Sequence, residues 1–464
     1  MFVGRAKELN ELNWLYRTDK FQLAVVYGRR RVGKTALINE FLRGKEAIFF
    51  TAQETNAGQN LENFSRDVFR CVYGHGPAPT FRSFLDALEH VFALSKDRRL
   101  VLVIDEYQRL ERSHEGFASL LQIMIDRHKD VSRLFLVLCG SDVPLMGGRL
   151  TGGGGPLQGR QTAQLRVEPF DFFDSRRFFR GFSDEDTALV YGVVGGMPQY
   201  LLQMHDFISV EDNIKNAFLR PSSPFSEEPE NLLRQGVREL AIYNAVITAV
   251  AGGGARVSEV SEKTGEGTSV CSAYLKALVG MGVLKKETPF AEKTQKRTTY
   301  SVADNMLRFW YRFIPPNLSA IQSGMADAVY GSISKQLPAF MGGVFEDICR
   351  QYLWRLRPGG GAPVEFTGMG RWWGVDPRTK SGAEIGIIAA DGAGAALFCD
   401  CWWADGEVDT PALDGLVKRS ELFPFERRRF CLFAKKGFTP GCVERAAELG
   451  GAGLITFSDM LRRF

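Results

Sequence analysis

The chain has 464 residues, about three times the ~150 residues of a typical domain, so two or three globules are expected rather than one. With 45% hydrophobic and 24% charged residues it carries enough apolar surface for real cores and too little charge for a disordered chain. Its formal net charge of +4 permits nucleic acid as a partner without demanding it.

The opening Met1-Phe2-Val3-Gly4-Arg5 lacks the apolar core of a secretory signal. No run of about 18 uncharged apolar residues follows, so a cytoplasmic chain without a membrane partner is expected. The eight cysteines form no CxxC pair, the closest two being Cys399 and Cys401, and His75, His90, His114, His128 and His205 are scattered. Reduced, mostly buried thiols are therefore expected, and no structural zinc.

In chain order, Gly4 to Leu12 predicts an amphipathic helix and Phe21 to Tyr27 a strand. Further strands are predicted at Ile48 to Thr51, Leu100 to Ile104 and Leu134 to Cys139, separated by helical stretches such as Leu61 to Val72 and Phe81 to Leu94. The alternation implies a parallel sheet covered on both faces, an α/β core over residues 1–168. Residues 169–235 become helical and rich in phenylalanine (Phe170, Phe172, Phe173, Phe178, Phe179, Phe182), a small lid in which such a stripe signals packing.

Residues 236–305 read as three helices and a basic hairpin, the order of a winged helix. Lys285, Lys286, Lys293, Lys296 and Arg297 on the hairpin suit phosphate contacts, whereas the third helix offers only Lys276 as a base. A protein-contact or nucleotide-sensing module fits the same pattern. Residues 306–464 form a separate α/β domain, with a helix around Val344 to Leu356 and strands at Ala383 to Ala389, Ala395 to Cys401 and Phe430 to Phe433.

Gly28-Arg29-Arg30-Arg31-Val32-Gly33-Lys34-Thr35 matches GxxxxGK[ST], directly after a predicted strand and before the helix Ala36 to Leu42. In such a loop the backbone N–H groups point inward and the helix end faces the phosphates of ATP. Lys34 reaches the β and γ oxygens, and Thr35 ligates Mg2+. Leu100 to Ile104 runs into Asp105-Glu106, which places Asp105 to support the metal and Glu106 to polarise the attacking water. The strand ending in Cys139-Gly140-Ser141 sets the Ser141 hydroxyl where a γ-phosphate sensor would sit. Arg160, in Gly159-Arg160-Gln161, is placed either to neutralise charge in a neighbouring subunit of a homo-oligomer or as a plain surface arginine.

Phe2-Val3-Gly4-Arg5 with Glu8-Leu9, the loop Gly28 to Thr35, Asp105-Glu106, Cys139-Gly140-Ser141, Gly159-Arg160 and Gly195-Gly196-Met197-Pro198-Gln199-Tyr200-Leu201 together resemble the archaeal-type AAA/STAND ATPases. The resemblance implies that the Gly-x-Pro turn of Gly196 and Pro198 contacts nucleotide; a tight turn between lid helices is the alternative. It extends through Tyr300 to Asp304 and Phe309 to Phe313 into a C-terminal part that, in that family, is similar to PD-(D/E)XK nucleases, a restriction-endonuclease-like fold.

Glu346 and Asp347 supply the helical acid of that pattern, and Arg371-Trp372-Trp373-Gly374 leads to its first strand. Gly386, however, replaces the metal-binding aspartate, and Trp402 stands where the lysine after Asp400 belongs. Without that carboxylate and that cation, phosphodiester hydrolysis is not expected. Trp372, Trp373, Trp402 and Trp403 then belong to the core and to domain interfaces.

The sequence thus describes an ATP-hydrolysing switch whose nucleotide state repositions a winged helix and a degenerate nuclease-like domain, with output to a protein partner or a second copy. The alternative is an ATP-regulated DNA-binding protein of defence or genome maintenance. An active metal-dependent nuclease would require an altered site built from Glu346, Glu384 and Asp400.

Overall fold

The computed structural model describes residues 2–464 apart from 75, 77, 151, 153, 235–238, 254, 255, 293, 295, 296 and 393. His75, Lys293 and Lys296 of the sequence analysis therefore lie outside the described residues. The chain divides into two compact units, Met1–Pro169 with Met197–Gln199, and Phe170–Gly196 with Tyr200–Phe464.

The first unit is built on five strands: β1 (Gln22–Tyr27), β2 (Ala47–Thr51), β3 (Leu100–Asp105), β4 (Leu134–Gly140) and β5 (Ala163–Arg166). Their order is β2-β3-β4-β1-β5, and every pairing is parallel. Uninterrupted apolar runs allow β3 and β4 to be buried along their whole length. On one face Leu23, Val25, Phe50, Leu102 and Leu136 pack with Phe64, Val68, Leu88, Val91 and Leu121 from the flanking helices. Each such side chain contributes about 1.5–3 kcal/mol of burial. Strand β5, too short and too polar to stand out in the sequence, adds an edge by pairing Ala163 with Ala24.

The register decides where the site lies. Tyr27 is level with Gly140, and Ile104 with Leu138. Because the strands are parallel, the segments after β1, β3 and β4 leave the sheet at one edge, where open α/β sheets bind ligands.

The second unit carries the helices Leu240–Ala251, Val257–Thr264 and Thr268–Gly280, followed by an antiparallel hairpin of β6 (Leu284–Glu287) and β7 (Thr299–Val302). Its larger sheet comprises β8 (Gly368–Asp376), β9 (Ser381–Ala390), β10 (Ala395–Trp402), β11 (Arg427–Ala434) and β12 (Gly453–Thr456), ordered β12-β11-β10-β9-β8. Strands β8, β9 and β10 run antiparallel to one another, and β10, β11 and β12 are parallel. Arg371-Trp372-Trp373-Gly374, read from the sequence as leading to the first strand, lies inside β8.

The phenylalanine-rich segment after residue 169 is part of this second unit rather than an extension of the ATPase core. Its faces are satisfied by the C-terminal domain. The Phe172 N–H donates to Gln351 Oε1 at 2.8 Å, and Arg355 donates to both oxygens of Asp171 at 2.6 Å. Phe172 meets Phe457 at 5.7 Å and Phe173 meets Phe464 at 5.4 Å between ring centroids, which is the packing use of the stripe.

Gly196 returns the chain against Phe170, whose N–H donates to the Gly196 carbonyl at 2.8 Å. A Cβ at Gly196 would lie 1.7 Å from the Phe170 carbonyl oxygen. No rotamer relieves a clash with backbone. Gly196→Ala is therefore expected to destabilise the second unit by about 3 kcal/mol or more, read as a lower urea midpoint, and an unchanged midpoint would contradict this packing.

Candidate nucleotide site

The phosphate loop leaves β1 at Gly28, and a Cβ there would lie 2.2 Å from the Val167 carbonyl oxygen, so glycine alone fits beside the chain that follows β5. The backbone then bends through positive φ at Arg31 (70°) and Gly33 (93°) before the helix Lys34–Leu42 begins. A non-glycine residue in that region is strained, and such strain gathers at functional sites. Val32 is fully buried, and its carbonyl accepts a hydrogen bond of 3.0 Å from Arg5 Nη2. Arg5 was read only as part of a motif; it is itself buried at φ 62° and braces the loop from below.

Lys34 Nζ donates to the carbonyls of Gly28 at 2.9 Å and Arg29 at 3.0 Å. Burial lowers its pKa from the ordinary lysine range, opposed by Cys139, Glu106 and Asp105. An anion in the loop would favour the charged form. Arg30 and Arg31 are exposed and Arg29 is half-buried.

Asp105 closes β3 nearly buried, and its Oδ2 accepts from Thr35 Oγ1 at 3.1 Å while its Oδ1 accepts from the Glu106 N–H at 3.0 Å. A hydroxyl and a carboxylate are a donor set that suits magnesium, which keeps several waters and few protein ligands. Among the described residues no group of three or more His, Cys, Asp or Glu side chains could hold a metal by itself.

Glu106 stands at φ 54°, the third strained non-glycine residue here after Arg5 and Arg31, and caps the helix Tyr107–Ser113. Ser141, just beyond β4, donates to Glu106 Oε2 at 3.4 Å. Gln108, absent from the sequence reading, bonds both of them: its Nε2 donates to Glu106 Oε2 and, at 3.1 Å, to Ser141 Oγ. The signal was available in Asp105-Glu106-Tyr107-Gln108, where a polar residue sits two positions beyond the acid.

Pro198 belongs to the loop's own unit and reaches Gly33: a Cβ on Gly33 would meet Pro198 Cγ at 3.6 Å. Gly196 instead lies in the second unit, so the two ends of the Gly-x-Pro turn serve different bodies.

Arg160 is not the unengaged guanidinium that an arginine acting on a neighbour would present. It donates to both oxygens of Asp126, at 2.9 and 2.6 Å. It also precedes β5, near Thr162, whose N–H bonds the Leu23 carbonyl at the start of β1. That is the far end of the strand, about 16 Å from Gly28 at 3.3 Å per residue.

In the second unit the residues of the nuclease pattern do come together, but each carboxylate is matched by an arginine. Glu346 pairs with Arg350, Glu384 with Arg371 at 2.7 Å, and Asp400 with Arg419. Arg350 also donates to the Gly386 carbonyl at 2.9 Å, and a Cβ on Gly386 would lie 3.0 Å from Glu346 Oε2. Burial raises the pKa of Glu346 and of Asp400, with Arg350 and Arg419 opposing. The guanidinium groups supply the positive charge that a metal would bring, so these residues do not fit a catalytic metal.

Two of the hairpin bases are engaged as well: Lys285 lies 3.5 Å from Asp347, and Arg297 lies 3.1 Å from Glu292. Trp372 packs on Phe423 at 5.3 Å and Trp403 on Phe345 at 5.1 Å. Trp402 is 43% exposed, which corrects its assignment to the core.

A parallel sheet that carries a phosphate loop after β1 and an Asp-Glu pair after β3, with β4 between them, defines a P-loop ATPase. The sequence pattern of an ATPase domain predominantly from Archaea matches residues 2–204, and that of archaeal and bacterial proteins of unknown function matches residues 310–413. An uncharacterized protein of Methanocaldococcus jannaschii is 31% identical over 411 residues, 87% of this chain and 88% of the relative. An uncharacterized ATP-binding protein of the same organism is 50% identical over 46 residues, covering 10% of this chain and 78% of that one. The Walker-type ATPase of Pyrococcus abyssi shares the fold, with a TM-score of 0.52 at 19% identity over 67% of this chain and 96% of that one.

The chain belongs to the archaeal-type P-loop ATPase family in which this ATPase domain is joined to a C-terminal domain of unknown function, and it is an ATPase. Among the described residues no helix is long and apolar enough to cross a membrane.

The arginine-filled centre gives a direct expectation. Supercoiled plasmid incubated with the chain and Mg2+ or Mn2+ should remain uncut. Nicking that disappears in Glu346→Ala or Asp400→Asn would contradict the reading of that centre.

Proposed function

We propose that the chain is an ATP-driven switch in which Gly28 to Thr35 grip the triphosphate, Thr35 and Asp105 hold Mg2+, Glu106 orients the attacking water and Ser141 meets the γ-phosphate. The metal, when bound, would neutralise phosphate charge. The observation that carries the reading is the convergence of Lys34, Thr35, Asp105 and Glu106 at one sheet edge, with Thr35 already hydrogen-bonded to Asp105 at 3.1 Å.

The moving parts are the lid (169–235), a winged helix (236–305) and an inactive restriction-endonuclease-like domain (306–464). Met197–Gln199 belongs to the nucleotide-binding unit, where Pro198 lies beside Gly33, while the chain on either side belongs to the other unit. Output through a protein partner or a second copy is favoured over DNA, since Lys285 and Arg297 are already paired with acids of their own chain.

Two variants test the site. Lys34→Ala should abolish binding of a fluorescent ATP analogue. Glu106→Gln should keep that binding while hydrolysis falls by about tenfold to a hundredfold. Unchanged affinity in the first, or wild-type turnover in the second, would remove those residues from their roles.

A further inference from the structure

The contact among Glu106, Gln108 and Ser141 goes beyond a loop and an acid pair. Gln108 lies on the helix Tyr107–Ser113 and is 95% buried, yet only its amide nitrogen is used. Both Nε2 hydrogens are committed, one to Glu106 Oε2 and one to Ser141 Oγ. Its Oε1 is buried without a hydrogen-bond partner, a desolvation cost that a carboxamide serving only to fill space would not offset.

The pocket is shaped for this side chain. A Cβ on Gly140 would stand 2.6 Å from Gln108 Oε1, so the glycine before Ser141 is what admits the amide. Ser141 in turn donates to the same Glu106 oxygen, which closes a triangle of three polar groups.

Resting on the ATPase reading of this site, we infer that Gln108 is the positioning residue that ties the γ-phosphate-contacting hydroxyl to the water-orienting carboxylate. When a γ-phosphate oxygen draws the Ser141 hydroxyl proton, the Ser141 to Glu106 bond is given up. One lone pair of Glu106 Oε2 is thereby released to receive a proton from water. Gln108 keeps its hold on both partners throughout, so the two groups stay in register as the γ position is filled. A nucleoside diphosphate has no oxygen to make that exchange.

The test uses the full chain, with ATP affinity and turnover read separately. Gln108→Leu fills similar space without the amide; its kcat should fall at least about tenfold while the Kd for ATP stays within about threefold. Gln108→Glu should be equally slow near neutral pH. A carboxylate there has no N–H to donate to Glu106 or Ser141, so kcat falls while the Kd for ATP is retained. A purely structural glutamine would not split kcat from Kd in this way.

Should Gln108→Leu fail to fold, Gly140→Ala provides the second reading, since its methyl displaces the amide and should lower kcat with the Kd retained. Wild-type kcat in these variants, or equal losses in kcat and affinity, would overturn the inference. If the wild-type chain itself neither binds nor hydrolyses ATP, it is the nucleotide site that fails. Wild-type turnover unaffected by the Gln108 variants defeats the positioning role alone.

Discussion

The arrangement depends on strand register. Parallel pairing of β4 with β1 and with β3 puts Gly28, Asp105 and Ser141 at the ends of three adjacent strands. A one-residue slip would turn every strand side chain to the opposite face and separate these groups. The strained residues follow from this constraint: Arg31 and Glu106 hold positive φ because loops leaving a fixed edge must turn sharply to bring amides and carboxylate to one point.

A second constraint acts in the C-terminal sheet, where half-buried carboxylates demand compensation. An aspartate at 386 would crowd a third acid against Glu346; with glycine there, Arg350 reaches both Glu346 and the Gly386 carbonyl. Asp347 belongs to the same network. Burial would raise its pKa, but Lys285, Arg308 and Arg350 together bring it below the usual aspartate value. Acids that would serve a metal in the nuclease pattern thus serve as ion-pair nodes joining the hairpin, the helix Asn305–Phe313 and the helix Leu337–Leu356.

The first sheet and its phosphate loop were legible because their signals are local: apolar runs of strand length, glycines at fixed spacing, and an acid pair after β3. What was not legible depends on distant partners. Gln108 is polar in sequence, and only the tertiary approach of Gly140 and Ser141 gives it a place. Arg160 looked like an available guanidinium because Asp126, 34 residues earlier, is invisible to a motif. The lid read as a neighbour of the ATPase core by sequence order, yet Asp171 and Phe172 find their partners in Arg355 and Gln351, far along the chain. Gly386 and Trp402 could be read directly, because a missing carboxylate and a missing lysine are visible without a structure.

The most direct measurement of the nucleotide site is a crystal structure of the chain with a non-hydrolysable ATP analogue and Mg2+. The account predicts the triphosphate on the backbone amides of residues 29–35, with the Lys34 amine moved from the Gly28 and Arg29 carbonyls onto phosphate oxygens. A nucleotide seated elsewhere, with Lys34 still bonded to those two carbonyls, would contradict it.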